Sequence, residues 1–221
     1  MTRKILVLAF CRLLFTASPA EAASGRLDAA HGLVTVSRAG KTSAVKTGFE
    51  LKGGDEVQTG KDAYALVTLD DGSKMKLRSD SAVSLAKDGA LTEIFLRLGG
   101  VFTKVKKRAQ GQGGFHVRTP NAVAAVRGTE FFTAYGRKKH RGTDLWLCVN
   151  EGAVEVSASK KSVLVKAGSG IVIKGGSDLT APEAFEWTKT LNWNMDPEKG
   201  KLEDKTSLDG AYSDLLDQDY K

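Results

Sequence analysis

Cysteine and proline are scarce in this sequence. Of 221 residues, two are cysteine, four are proline, and aromatic residues make up 7%. Two cysteines exclude a small disulfide-stapled fold, and four prolines exclude a collagen or a proline-rich chain. Glycine is plentiful, with 24 residues, and basic residues give a net charge of +7. A chain of this length can bury its own hydrophobic core as one large or two small domains.

Long apolar runs are also missing, except near the N-terminus. A positively charged start precedes an apolar stretch at 5–17, and Ala20-Glu21-Ala22 fits the small-x-small pattern of a cleavage site. We therefore expect a signal peptide at 1–22, cleavage after it and a periplasmic location. An uncleaved anchor is the alternative, but 13 residues interrupted by Arg12 are fewer than the roughly 20 that span a bilayer. We expect no transmembrane helix in the mature chain.

The two cysteines each allow two interpretations. Cys11 could carry a lipid, although the bulky Phe10 before it does not suit that processing. Cys148 follows Leu147 and precedes Val149, which predicts a small buried residue on a strand; a reactive or intermolecular thiol is the alternative. After cleavage only Cys148 remains, so no intramolecular disulfide is expected.

Acidic residues are nearly absent from the middle of the chain. Residues 101–142 contain ten Lys or Arg and one acid, Glu130, whereas residues 178–221 contain eleven acids and five bases. This asymmetry predicts an anionic partner for the middle, or contact between the tail and the middle. Two solvated loops at strand ends are the alternative. The candidate partner-binding residues are Lys104, Lys106, Lys107, Arg108, Arg127, Arg137, Lys138, Lys139 and Arg141.

Nucleic acid is not the expected partner of this basic segment. An exported protein does not meet it, and the basic loops lack the aromatic residues on which bases stack. We expect either an envelope protein or an anionic polymer of the cell wall or envelope.

Helical periodicity is absent from the body of the chain. Short alternating segments follow one another, with Gly or Asp-Gly between them. Asp71-Gly72 and Asp88-Gly89 each separate two alternating runs, which is a strong hairpin signal. Strands at this close spacing predict an all-β fold.

A weak internal sequence repeat suggests how the strands are arranged. Gly-x-Val-x-Val occurs at 32–36 and 152–156, with a looser copy at 100–105. Repetition of this kind predicts a β-solenoid-like stack of short antiparallel or coiled strands. An ordinary sandwich could reuse the same pattern.

The predicted domain organisation is a signal peptide at 1–22, a β domain at 23–176 and an acidic, partly helical tail at 177–221. Pro182 and the acids after it predict a short helix over 182–193, and apolar residues at 212–220 suggest a second helix or a docking segment. The tail is expected to cap the open end of the stack; binding a partner is the alternative.

Residues for catalysis or for metal binding are not found in any recognisable arrangement. His31, His116 and His140 lie far apart, and none has metal-ligand spacing. No Gly-x-Ser-x-Gly elbow is present, and Gly40-Lys41-Thr42 lacks the first glycine of a phosphate loop. We therefore expect no enzyme, no metal and no cofactor.

One segment has a distinctive order of residues. Thr119-Pro120 precedes a strand of small residues, which ends in Arg127-Gly128-Thr129. Pro120 holds the preceding residue extended, Gly128 allows positive φ or close backbone approach, and Arg127 offers a five-donor fork. These residues, with the Asp71-Gly72 turn, are expected to hold tight corners of the fold; partner binding by Arg127 is the alternative.

Residues 115–131, Phe-His-Val-Arg-Thr-Pro-Asn-Ala-Val-Ala-Ala-Val-Arg-Gly-Thr-Glu-Phe, resemble the signature of the FecR domain family. Gly54-Asp55-Glu56-Val57-Gln58-Thr59-Gly60, Asp71-Gly72-Ser73, Gly100-Val101-Phe102 and Glu151-Gly152-Ala153-Val154 are similar to its other elements, in order. The resemblance covers about residues 32–174.

This resemblance implies an extracytoplasmic β-solenoid-like domain. In the best-known members, such a domain receives a signal from an outer-membrane iron transporter and passes it to a sigma factor. We therefore expect a non-enzymatic, exported binding module that acts in envelope signalling or scaffolding through protein contacts. The alternatives are a module that binds cell-wall glycan through the basic middle and a transporter-linked regulator of iron uptake.

Overall fold

The computed structural model describes residues 23–88, 91–107, 113–140 and 142–207, which form two β-sheets. Sheet A contains β1 (Ala23–His31), β4 (Glu50–Lys52), β6 (Tyr64–Leu69), β7 (Lys74–Leu77), β12 (Glu130–His140), β13 (Gly142–Glu151), β16 (Gly170–Lys174) and β17 (Asp178–Leu179). Sheet B contains β2 (Val34–Arg38), β3 (Lys41–Ala44), β5 (Glu56–Thr59), β8 (Ser81–Asp88), β10 (Phe115–Thr119), β11 (Ala122–Val126), β14 (Ala153–Ala158) and β15 (Lys161–Lys166). The long strand β9 (Leu91–Lys104) pairs within sheet B through its first half and within sheet A through its second. The predicted signal peptide lies outside the described residues.

The strand order shows that both sheets are open. Sheet A has the order β4-β1-β6-β7-β9-β12-β13-β16-β17. Sheet B has the order β3-β2-β5-β8-β9-β10-β11-β14-β15. Neighbours are antiparallel except β9 and β10, which are parallel. The predicted all-β class is confirmed, and the pairing gives two open sheets rather than the coils of a parallel β-helix.

The main core consists of side chains that alternate inward from the two sheets. Leu77, Val101 and Phe131 come from sheet A, and Val83 and Val154 from sheet B; all five are fully buried. The chain crosses repeatedly between the sheets, so strands distant in sequence contribute to the same core.

The internal repeat of the sequence corresponds to two equivalent positions in sheet B. Residues 32–36 lead into β2 and residues 152–156 into β14, and each strand forms a hairpin with an edge strand, β3 and β15 respectively. The repeat therefore marks the two opposite edges of one sheet.

The Asp71-Gly72 hairpin joins β6 to β7 as predicted, but with a different loop. The Leu69 N–H donates to Ser73 O, and the Gly72 N–H donates to Leu69 O. Three residues therefore form the loop, and Gly72, with φ of +79°, ends it in the left-handed region that favours glycine.

The outer face of sheet A is covered by residues 185–206, which we call the strap. The strap contributes Phe185, Leu191, Met195 and Leu202 to a second apolar cluster with Phe102 and Phe132 of the sheet. Before it, residues 178–183 hydrogen-bond along β16, where Glu183 pairs with Gly170.

The predicted helical tail is wrong where the structure describes it. Residues 182–193 contain only a 3-10 turn at Glu186–Thr190, and a second such turn lies at Pro197–Lys199. The side chains of Asn192 and Asn194 accept hydrogen bonds from nearby main-chain N–H groups, which competes with a helix. Pro197 disfavours a helical residue before it. The second predicted helix, at 212–220, lies outside the described residues. Within the described ranges, no helix has the length and apolar character needed to cross a membrane.

Candidate functional site

A groove of about 650 Å³ opens at one end of sheet A. Its floor is a row of charged residues in register across four strands: Lys74 of β7 pairs with Lys104 of β9, Lys104 with Glu130 of β12, and Glu130 with Glu151 of β13. Lys106 and Lys107 also line the groove. The antiparallel pairing brings these charges together, because alternate strands begin and end at the same edge of the sheet.

The Glu130 carboxylate organises the centre of the floor. It is 7% exposed, and Lys104 Nζ donates to its Oε1 at 3.3 Å. Asn150 Nδ2 donates to its Oε2 at 2.7 Å. Glu130 thus neutralises one lysine, and the remaining lysine ammonium groups leave the groove with an excess of positive charge.

The Arg127-Gly128-Thr129 segment forms one wall, where the chain passes from sheet B to sheet A. Gly128 has φ of +66°, and a Cβ on it would lie 3.0 Å from the Cβ and Cγ of Lys107. Thr129 Oγ1 donates to Ala153 O at 2.9 Å. This glycine therefore allows the basic segment to lie directly against the corner.

Thr119 and Pro120 have a structural place at the other end of β11. Pro120 and Asn121 form the two-residue loop of the β10–β11 hairpin. The Ala122 N–H donates to Thr119 Oγ1 at 3.2 Å, and Thr119 Oγ1 donates to Asn121 Oδ1 at 2.9 Å.

The strap forms the opposite wall through residues 193–196 and Lys199. The Trp193 ring meets Phe102 edge to face, with the ring centroids 5.3 Å apart. Its Nε1–H donates to Thr188 O. The strap and the basic middle of the sequence therefore meet at this groove, where Asp196 of the strap is paired with its own Lys199.

The predicted basic residues do not all converge. Lys104, Lys106 and Lys107 lie together at the groove, and Arg127 lines a neighbouring recess on the sheet B side. Residues 137–139 lie near the far end of β12, roughly 23 to 30 Å along the strand from Glu130. Arg108 and Arg141 lie outside the described residues.

Two buried cations, one on β7 and one directly after it, were missed by the sequence analysis. Lys76 is 1% exposed and lies with its Nζ 4.4 Å from the Phe102 ring centroid. Burial lowers its pKa to about 8, although the nearby Asp204 opposes the shift. Arg78 lies two residues further along the same face, with its Nε 3.9 Å from Asp204 Oδ2. Lys76 and Arg78 alternate with Met75 and Leu77, which is typical of side chains that face solvent on one side of a strand. In the folded chain the strap covers this side and buries both cations.

Asp55, in the glycine-rich turn before β5, was also not singled out. Its fully buried carboxylate accepts from Arg38 Nε and Nη2 at 2.8 and 2.7 Å, and from the Lys52 N–H at 2.8 Å. Burial alone would raise the Asp55 pKa, but these hydrogen bonds and the Arg38 charge lower it. This pair ties β2 to the turn after β4.

Cys148 is buried on β13 beneath the strap cluster, as its alternation with Leu147 and Val149 predicts. Burial raises the pKa of its thiol. Among the described residues, no three His, Cys, Asp or Glu side chains are grouped to hold a metal ion.

Comparisons with known proteins agree with this architecture. Two crystal structures of a candidate anti-sigma factor from Parabacteroides distasonis ATCC 8503, at 1.65 and 2.50 Å resolution, superpose on this chain with a TM-score of 0.51. The identity is 17%, and the match covers 58% of this chain and 59% of the other. At that identity the likeness shows a shared fold. No curated protein sequence matches the chain significantly.

The family model described as FecR protein matches residues 55–155. The match begins at the buried Asp55 and ends in β14, so it includes the hairpin with Thr119 and Pro120 and the corner at Gly128. It also includes the groove residues from Lys74 to Glu151. Over residues 55–155 this chain therefore matches the FecR domain family.

Proposed function

We propose that this protein is a non-enzymatic, exported binding module that acts in envelope signalling or scaffolding by contacting another envelope protein. The observation that carries the proposal is the groove, where the FecR corner, the basic segment and the strap meet. A concave site with several lysines and a half-buried tryptophan suits an extended polypeptide with acidic side chains. The FecR domain and the fold shared with a candidate anti-sigma factor favour signalling over other binding roles.

Site-specific crosslinking tests this proposal directly. A photo-crosslinking amino acid replaces Lys107 in the groove, and a matched chain carries it at Lys160, an exposed lysine at the β14–β15 turn. We expect one discrete envelope protein to crosslink from position 107 and not from position 160. Crosslinking from neither position, or equally from both, would contradict the proposal.

Charge reversal then tests whether the groove lysines bind that partner. In Lys104→Glu/Lys106→Glu/Lys107→Glu the interaction should weaken at least tenfold. The control Lys160→Glu/Lys161→Glu/Lys166→Glu makes the same charge change on exposed lysines of β15 and its turn, and should leave the affinity unchanged. An equal loss in both variants would indicate non-specific attraction.

The export step is a separate part of the proposal. A chain expressed with its own N-terminus should be recovered from the periplasm, and its N-terminal sequence should begin at Ala23. Recovery of the full-length N-terminus from the membrane would favour the uncleaved anchor.

A cell-wall glycan is the second candidate partner, because Trp193 lies beside the groove lysines. Aromatic rings pack on sugar faces, and lysines bind anionic groups of the polymer. Co-sedimentation with purified peptidoglycan that is lost in Trp193→Ala and in the groove triple variant would favour it. Sedimentation that neither variant changes would exclude it.

A further inference from the structure

The strap is held mainly through its main chain. Three cations at alternate positions donate to strap carbonyl oxygens: Lys74 and Lys76 of β7, and Arg78 directly after it. Lys74 Nζ lies 3.4 Å from Met195 O, and Lys76 Nζ lies 2.5 and 2.7 Å from Asn192 O and Asn194 O. Arg78 Nη2 lies 3.3 and 2.7 Å from Asp204 O and Thr206 O.

Main-chain carbonyls are present in every polypeptide. These contacts hold two stretches of the strap, residues 192–195 and 204–206, on either side of the Pro197–Lys199 turn, and do not depend on their side chains. Selectivity comes from the apolar part of the contact, where Leu191, Met195 and Leu202 pack on the sheet. The surface has the two components of a peptide site: cations for the main chain, and an apolar face for a few anchoring side chains.

The strap fits this surface incompletely at one end. Arg78 is 10% exposed, and its Nε is 3.9 Å from Asp204 Oδ2, which is too long for a hydrogen bond. Arg78 Nε and Nη1 and Asp204 Oδ2 are buried without a hydrogen-bond partner. Buried donors in this state lose the hydrogen bonds that water would give them. A segment that placed its carboxylate closer to Arg78 would bind this end better than the strap does.

We propose that the outer face of sheet A is a docking surface for an acidic segment of the partner protein, which the strap covers as an intramolecular competitor. The preferred segment carries a carboxylate that reaches Arg78 and apolar side chains spaced as in the strap. This inference rests on the proposed function for the existence of a partner, but the surface is tested without that partner.

The competition has a simple physical basis. A tethered segment acts at an effective concentration of about a millimolar, so a separate peptide of equal intrinsic affinity is largely excluded. Weakening the strap should raise the apparent affinity for a peptide in trans. The groove is walled by strap residues 193–196, so a partner held in the groove lies next to the segment that it displaces.

The test uses the full chain and a fluorescent peptide of residues 185–206, with binding followed by anisotropy. The variant Leu191→Ala/Leu202→Ala removes two strap anchors and leaves the sheet intact. We expect it to bind the peptide at least tenfold more tightly than the wild-type chain. The control Glu198→Ala/Lys201→Ala alters two exposed strap side chains and should behave as the wild type.

Two further comparisons decide whether the peptide binds at the proposed surface. Adding Arg78→Gln to the strap-weakened chain should reduce the binding at least tenfold, and a peptide of scrambled sequence should bind weakly. If the strap-weakened chain binds no better than the wild type, or binds the scrambled peptide equally, the inference is wrong. The crosslinking from position 107 is unaffected by that result, so the two proposals fail separately.

A second chain keeps the test decisive if the double variant does not fold. A protease site inserted between Ala181 and Pro182 allows the strap to be cut after the chain has folded. Dilution should then release it, and the labelled peptide should take its place. A cut strap that stays bound at nanomolar protein concentration would overturn the competitor role.

Discussion

The Cα of Gly128 lies so close to Lys107 that a Cβ on the glycine would be 3.0 Å from the Cβ of the lysine and 3.1 Å from its Cα. The corner of the FecR domain and the basic segment are therefore fitted to each other. A side chain at 128 therefore requires Lys107, which lines the groove, to shift by a few tenths of an ångström.

Gly128→Ala should accordingly be more costly than the same substitution at a positive-φ glycine with open space beside it. Gly168 has φ of +80°, but a Cβ on it would have no neighbour within 4 Å, so Gly168→Ala should cost only about 1 kcal/mol of backbone strain. Gly128→Ala adds the steric contact and should cost about 2–3 kcal/mol. Urea denaturation of both variants measures the difference. Equal losses would mean that the contact with Lys107 relaxes freely.

The Arg38–Asp55 pair, with a fully buried carboxylate and a partly exposed guanidinium, predicts a second stability effect. Asp55→Asn leaves the guanidinium without its bidentate carboxylate and should cost about 2–4 kcal/mol in the free energy of unfolding. The control Asp70→Asn changes an exposed turn residue and should be nearly neutral. A loss below about 1 kcal/mol at Asp55 would indicate that water replaces the carboxylate.

The same pair predicts a pH dependence. The Asp55 pKa is lower in the folded protein than its ordinary value of 3.8, so the folded state favours the ionised carboxylate. The stabilisation is fully present above the unfolded pKa and is lost as the pH falls through the folded one. The difference in unfolding free energy between wild type and Asp55→Asn should be constant from pH 7 to 5 and should shrink below pH 4. A difference independent of pH down to pH 2 would contradict this.

Strand alternation allowed the all-β class and most strands to be predicted, because residues such as Val154 and Val156 alternate with the polar Glu155 and Ser157. The strands β1, β3, β4, β5 and β17 were not predicted; all of them except β1 have only two to four residues. The sequence predicted only part of the groove. The excess of lysines at 104–107 is visible in the sequence, but their register with Lys74 and Glu151 depends on pairing between distant strands.

The strap was the main failure of the sequence analysis, and its cause is tertiary. Acids after Pro182 have helical character locally, yet the carbonyls of Asn192 and Asn194 bond to Lys76 rather than to later N–H groups. A local pattern does not show that a sheet will supply these donors. For the same reason Lys76, in an alternating strand, looked like a solvent-facing residue.

Cys148 should be unreactive in the folded protein. Its thiol is 1% exposed, and burial raises its pKa, so little thiolate forms near neutral pH. In a chain cleaved after Ala22, a thiol reagent at pH 8 should label no cysteine without denaturant and one per chain in 6 M urea. Rapid labelling of the native chain would show that the strap opens and exposes the sheet beneath it.

Lys76 predicts that the chain gains stability in mild alkali. Its pKa is about 8 in the folded protein against 10.5 ordinarily, because burial disfavours the charged ammonium. Between these two values the unfolded chain binds more protons than the folded one, so the free energy of unfolding rises with pH over that window. Below about pH 8 the cost of burying the charge is fully present.

Other lysines and tyrosines titrate in the same range, so the measurement is a comparison with Lys76→Met, which has similar length and no charge. From pH 7 to 10 the stability of the wild type relative to this variant should rise by roughly 2 kcal/mol. Lys74→Met, at the more open end of the same row, is the matched control and should show little change. A constant difference between wild type and Lys76→Met would mean that the Lys76 ammonium stays charged beneath the strap. In that case its hydrogen bonds to the Asn192 and Asn194 carbonyls offset the cost of burial.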